Sequence, residues 1–74
     1  MIRFFIKEQM AEKGFRENRR ITIDEVSRET GIHRNTLSRI ANNKGCNTTT
    51  VNLDKLCEFF ECSLSDLAAY VEGD

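Results

Sequence analysis

Apolar positions along this chain recur mostly at helical spacing, and the breaks between runs carry turn and capping residues. The pattern predicts five helices and no convincing strand. The first covers about residues 2–13, on Ile2, Phe5, Ile6 and Met10, and Gly14 ends it as a glycine just past a last turn does. Phe15 is expected to fold back onto the core. Residues 16–20, Arg-Glu-Asn-Arg-Arg, read as a charged loop. Thr22 followed by Glu25 is a capping box that opens a second helix over 23–30, closed by Gly31. A third helix runs over 34–42, then Asn43-Lys44-Gly45 signals a turn and 46–48 a polar loop. Thr49 caps a fourth helix with Leu53, Leu56, Cys57 and Phe60 at i, i+3, i+4 and i+7. Ser63 with Asp66 starts a fifth over 64–71, with Leu64, Leu67, Ala68 and Val71 on one face. No repeat, low-complexity tract or linker divides the chain, so residues 1–74 are read as one domain.

The segment from Ile23 to Ile40 has the spacing of a helix-turn-helix. Two helices crossing steeply through a short turn need a residue that accepts positive φ, and Gly31 supplies it. Ser27 is small where the helices approach. Val26, Ile32, Leu37 and Ile40 then face one core. His33, Arg34, Asn35, Ser38, Arg39 and Asn42 are left pointing outward from the third helix. Arginine grips guanine through two hydrogen bonds and asparagine does the same for adenine, so this face carries the chemistry of base-edge reading.

The stretch Thr30-Gly31-Ile32-His33-Arg34-Asn35-Thr36-Leu37-Ser38-Arg39-Ile40-Ala41-Asn42 resembles the helix-turn-helix of phage repressor and Cro-type regulators, the XRE family. Leu53-Asp54-Lys55-Leu56-Cys57 and Cys62-Ser63-Leu64-Ser65-Asp66-Leu67 resemble the same group, so the likeness covers nearly the whole chain. It implies an all-α, five-helix, lambda-repressor-like DNA-binding fold with the third helix in the major groove of double-stranded DNA. Arg34, Asn35, Ser38 and Arg39 are then the base-reading candidates. Arg19, Arg20, Thr22, His33, Thr36, Asn42 and Lys44 are the phosphate-binding candidates, with the amide groups opening the second helix. Two departures stand out. The connection over residues 16–20 is longer than the family's usual one, and Ile23 occupies a position where many members carry a polar phosphate contact. Arg19 and Arg20 are candidates to replace it. The resemblance also implies a homodimer, at least on DNA. Its interface is expected between the fourth helix and the C-terminus, with Phe59, Tyr70 and Val71 as candidates.

Charge changes the picture by its distribution. The net charge of −1 is not that of a basic protein. Residues 1–45, however, hold ten Lys/Arg against six Asp/Glu, while residues 46–74 hold one Lys against six acids. A basic first half and an acidic second half orient a protein on approach to phosphates. No apolar run reaches the ~20 residues of a membrane span, and the start reads as no signal peptide. Three cysteines, an odd number, fit a reducing compartment. The cytoplasm is therefore the expected location.

Cys46, Cys57 and Cys62 with His33 do not have the paired spacing of a structural zinc site, and Cys57 lies on an apolar stripe, so neither metal nor cofactor is expected. The single histidine has no nucleophile partner and no glycine-rich phosphate loop is present, which argues against an enzyme. The leading expectation is a sequence-specific transcriptional regulator, a repressor. Its rivals are a protein-interaction module of antitoxin or anti-regulator type, and a redox or metal sensor.

Overall fold

The steep turn at Gly31 organises the structure, a computed structural model that describes residues 1–43 and 47–72. Helix α2 (Ile23–Thr30) ends there, with Gly31 in the left-handed region at φ 77°, and α3 (Arg34–Ala41) starts three residues later. The turn is fastened by local bonds. Gly31 N–H donates to the Ser27 carbonyl at 2.8 Å, Ser27 Oγ donates to the Ile32 carbonyl at 2.7 Å, and Ile32 N–H donates to the buried Thr30 Oγ1 at 3.2 Å. Ser27 thus contributes a hydrogen bond as well as small size.

Helix α1 (Ile6–Glu17) and α4 (Thr50–Phe60) pack around this pair, and a single turn, α5 (Leu64–Leu67), closes the bundle. Ile6, Val26, Leu37, Ile40, Leu56, Phe60 and Leu67 are fully buried and form one core with Ile21, Ile32 and Ala41. Each buried aliphatic or aromatic side chain is worth about 1.5–3 kcal/mol relative to exposure. The caps were legible. Thr22 Oγ1 accepts from Glu25 N–H, Thr49 Oγ1 accepts from Asn52 N–H, and the Asp66 carboxylate accepts from Ser63 N–H. The Thr22 box is half-made, because the Glu25 carboxylate turns to Arg19 instead of back to the cap.

The ends of the chain differ from expectation. Ile2–Phe4 is a strand, β1, paired antiparallel with β2 (Ala68–Tyr70), with Ile2 opposite Tyr70 and Phe4 opposite Ala68. The first helix therefore starts at Ile6 and not at residue 2, and the fifth stops at Leu67 and not at residue 71. Period-two Ile2/Phe4 suits a strand, and the pairing partner lies at the far end of the sequence. Asn43, itself left-handed at φ 54°, completes the edge of β1: its amide accepts from Phe4 N–H at 2.7 Å and donates to Phe4 C=O at 3.1 Å.

Gly14 does not end α1. It lies inside the helix, which closes at left-handed Asn18. The returning chain crosses Gly14 so closely that a Cβ there would lie 2.7 Å from the Arg19 carbonyl oxygen. Arg16 and Glu17 are helical, so the connection is 18–22 and shorter than residues 16–20 plus a cap suggested. Phe15 does not return to the core; it is 86% exposed. Its helical turn directs Lys13 inward instead. The Lys13 ammonium reaches Glu17 at 2.8 Å and lies 4.7 Å from the Phe59 ring centre.

Candidate nucleic-acid interface

Helix α3 divides cleanly by burial. Leu37, Ile40 and Ala41 face the core, while Arg34, Asn35, Ser38 and Arg39 are exposed and Thr36 is half-buried. The exposed four fall at i, i+1, i+4 and i+5 of one helix face, and exposed Asn42 follows at its C-cap. Asn42 Nδ2 donates to the Ser38 carbonyl at 2.9 Å, fixing the last turn. At the other end His33 is the N-cap: its Nδ1 accepts from Asn35 N–H at 3.2 Å. That bond leaves Nε2 as the outward nitrogen.

The remaining candidates surround the start of α2. Thr22 spends its hydroxyl on the cap. Arg19 bridges Glu17 at 2.7 Å and Glu25 at 2.6 Å. Its pKa is raised above the ordinary arginine value, first by Glu25 and then by Glu17, so these carboxylates compete directly with phosphate for it. Arg20 and Arg39 form no ion pair among the described residues. Lys44, the remaining phosphate candidate, and Cys46 lie outside the described residues.

Two acidic residues at this surface pair with candidate cations in a way that sequence spacing does not reveal. Asp24 Oδ1 accepts from Arg34 Nη1 at 2.6 Å, linking α2 to α3 across the turn. Asp24 raises the Arg34 pKa above its ordinary value. Glu25 sits beside it, and Arg19 holds its carboxyl below the usual range. Both acids occupy the first turn of α2, whose amide groups carry the positive end of the helix dipole. That end is thus already compensated by carboxylates. A separation of ten residues has no periodic signature, so only the crossing of the two helices reveals the Asp24–Arg34 pair.

Cys57 and Cys62 meet at the end of α4. Cys62 N–H donates to the Cys57 carbonyl at 3.1 Å and Glu61 N–H to Glu58 at 3.3 Å, the two bonds of a Schellman turn around left-handed Glu61. The cysteines occupy the positions where that turn brings two apolar side chains together. Burial first, and then Cys57, push the Cys62 thiol upward, away from the thiolate that metals and oxidants require. His33 serves as the cap of α3. Arg16 Nη2 donates to the Phe60 carbonyl at 3.0 Å, which ties α1 to the same helix end.

Among the described residues, no helix is long and apolar enough to cross a membrane. Comparison with characterised proteins and with solved structures finds no match to either. Residues 6–73, from the first turn of α1 to beyond β2, match the family model described as a Cro/C1-type HTH DNA-binding domain. With five helices among the described residues, a Gly31 turn and an exposed polar face on the second helix of the motif, the chain belongs to the Cro/C1-type HTH DNA-binding domain family.

Proposed function

We propose that this chain is a sequence-specific transcriptional regulator, a repressor, that lays α3 in the major groove of double-stranded DNA. The observation that carries the reading is the outward face of α3, where Arg34, Asn35, Ser38 and Arg39 stand exposed over a fully buried Leu37–Ile40 base. Arg39 and Asn35 are the principal base readers, and Arg34 joins them once it leaves Asp24. Arg20, Asn42 and Lys44 hold phosphates, with His33, Thr36, Thr22 and Arg19 in secondary places. Arg19 ranks last because two carboxylates already occupy it. Residues 1–74 act as one unit in the cytoplasm, and two copies bind an imperfect palindrome with half-sites about 10 base pairs apart.

The test is selection from a random DNA pool followed by titration on the selected site. Arg39→Ala and Asn35→Ala are expected to lose roughly 1–3 kcal/mol each and to relax preference at particular base pairs, whereas Arg20→Ala weakens all sequences about equally and flattens the salt dependence. Full discrimination by Arg39→Ala sinks the assignment of the reading face. A second reading, a protein-interaction module of antitoxin or anti-regulator type, is favoured by the acids Asp24 and Glu25 at the start of α2 and by exposed Phe15. It expects salt-insensitive binding to a protein and no retention on DNA.

A further inference from the structure

Between α1 and the returning connection over residues 18–22 lies an open cleft of about 340 Å³. Lys7, Met10, Ala11 and Gly14 line it from α1, and Arg19, Arg20 and Ile21 from the connection. The connection crosses the helix at Gly14, where a Cβ would lie 2.7 Å from the Arg19 carbonyl oxygen. Lys7, Ala11 and Gly14 fall at i, i+4 and i+7 of one helix face. Ala11 contributes only a methyl group and Gly14 no side chain, so the floor of the cleft is low and flat. Half-buried Met10 and buried Ile21 bound it with apolar surface.

Three cations and no Asp or Glu line this cleft. Arg19 is taken by Glu17 and Glu25. Lys7 and Arg20 form no ion pair among the described residues. Like charges gathered around an apolar floor repel one another, and an anion seated among them offsets that repulsion. The floor adds a second requirement, since a bare phosphate has no apolar surface to lay on Met10, Ala11 and Ile21. The volume lies at the small end of the range for organic ligands, about 300–1,000 Å³. A flat floor suits a planar ring, and a methionine beside it makes favourable sulfur–aromatic contacts.

We propose that this cleft binds a small organic anion with a flat apolar body, an aryl carboxylate. Its oxyanion faces Arg20 and Lys7, and its ring lies on Ala11 and Gly14 between Met10 and Ile21. Arg20 is also a phosphate contact in the function proposed above, so ligand and DNA draw on the same guanidinium. Each then weakens binding of the other by the same factor. The domain that reads DNA thereby carries its own release signal. This regulatory half rests on the proposed function; the binding half does not, and it is tested without DNA.

The probe is 1-naphthoate, titrated into the full chain from about 10 μM to about 10 mM, the range in which so small a ligand binds, and followed by amide chemical shifts. Saturable shifts on residues 7–14 and 19–21 are expected. Two comparison compounds separate the sources of the chemistry. 1-Naphthalenemethanol has the rings without the charge, and inorganic phosphate has the charge without the rings; each should bind severalfold more weakly. Lys7→Gln, Arg20→Gln and Ala11→Glu, all at exposed positions, should keep the circular dichroism spectrum and weaken 1-naphthoate binding severalfold, the last by placing a carboxylate of its own in the cleft. Phe15→Ser removes an exposed aromatic outside the cleft and should leave binding unchanged. On the selected DNA site, saturating 1-naphthoate should lower affinity severalfold in an anisotropy titration, whereas acetate at the same concentration should not. Shifts confined to other surfaces such as Ile2, Leu64 and Tyr70, equal binding by inorganic phosphate, or binding untouched by Arg20→Gln and Ala11→Glu each overturn the proposal. 1-Naphthoate that fills the cleft yet leaves DNA affinity unchanged overturns its regulatory half. A chain that binds 1-naphthoate there but no DNA upholds the site and refutes the proposed function instead.

Discussion

Replacing Gly31 separates backbone conformation from side-chain space. At φ 77° and ψ 7° this residue is left-handed, and a Cβ built there meets nothing within 4 Å. An added Cβ therefore does not clash, and its cost is conformational. Left-handed backbone costs an L-residue about 1–2 kcal/mol. Replacing glycine also restricts the unfolded chain, which returns about 0.4–1 kcal/mol. Gly31→Ala should thus lose about 0.5–1.5 kcal/mol by these two opposed effects. Gly31→Val adds β-branching at positive φ and should lose about 1–3 kcal/mol. Gly31→Asn should lose least, because asparagine enters this region readily, as Asn18 and Asn43 do here. For a domain this small, each kcal/mol moves the melting temperature by about 4–8 °C. The assay is thermal and urea unfolding by far-UV circular dichroism. The order Val, Ala, Asn in decreasing cost is the signature; an asparagine as costly as valine would refute the conformational account.

Gly14 presents the converse case, with an ordinary helical backbone and no room. Gly14→Ala gains up to about 1 kcal/mol of helix propensity, but its Cβ meets a backbone oxygen at 2.7 Å; a net loss of stability by calorimetry is expected, and a gain would contradict the close crossing. Glu17 is held below the ordinary glutamate value of 4.5, first by Lys13 and then by Arg19. A depressed carboxylate contributes above its unfolded pKa and loses that contribution as pH falls. The melting-temperature advantage of the native chain over Glu17→Gln should therefore be present at pH 7 and vanish below the carboxylate range. Asp24→Asn frees Arg34 from a solvent-exposed pair, and such pairs contribute little to stability, so stability should barely change while DNA affinity rises several-fold at low salt. Weaker DNA binding by this variant in an anisotropy titration would mean that Asp24 positions Arg34 instead of restraining it.

What could be read from the sequence was what local chemistry decides. Gly31, Thr22, Thr49 and Ser63 act on their own neighbours within three or four residues, so the second, third and fourth helices and the start of the fifth emerged from spacing alone. The exposed face of α3 followed from the same periodicity. Interactions between distant segments were not legible. Ile2 and Phe4 fit a helical pattern nearly as well as an alternating one, and only Ala68–Tyr70 resolves the choice. Gly14 has the look of a helix stop until Arg19 is seen to cross over it. Arg19 and Arg34 look like free cations until the fold brings Glu25 and Asp24 against them.

The Asn43 amide links the segment after α3 to β1, and β1 is held by a strand from the opposite end of the chain. Met1 and Val71, which bond to each other, are 70 positions apart. Bringing such distant segments together costs more loop entropy than any contact within the helix pair, so the helices can assemble before the ladder closes. Through Asn43 and β1, the segment that follows α3 is thus fastened to both ends of the chain at once.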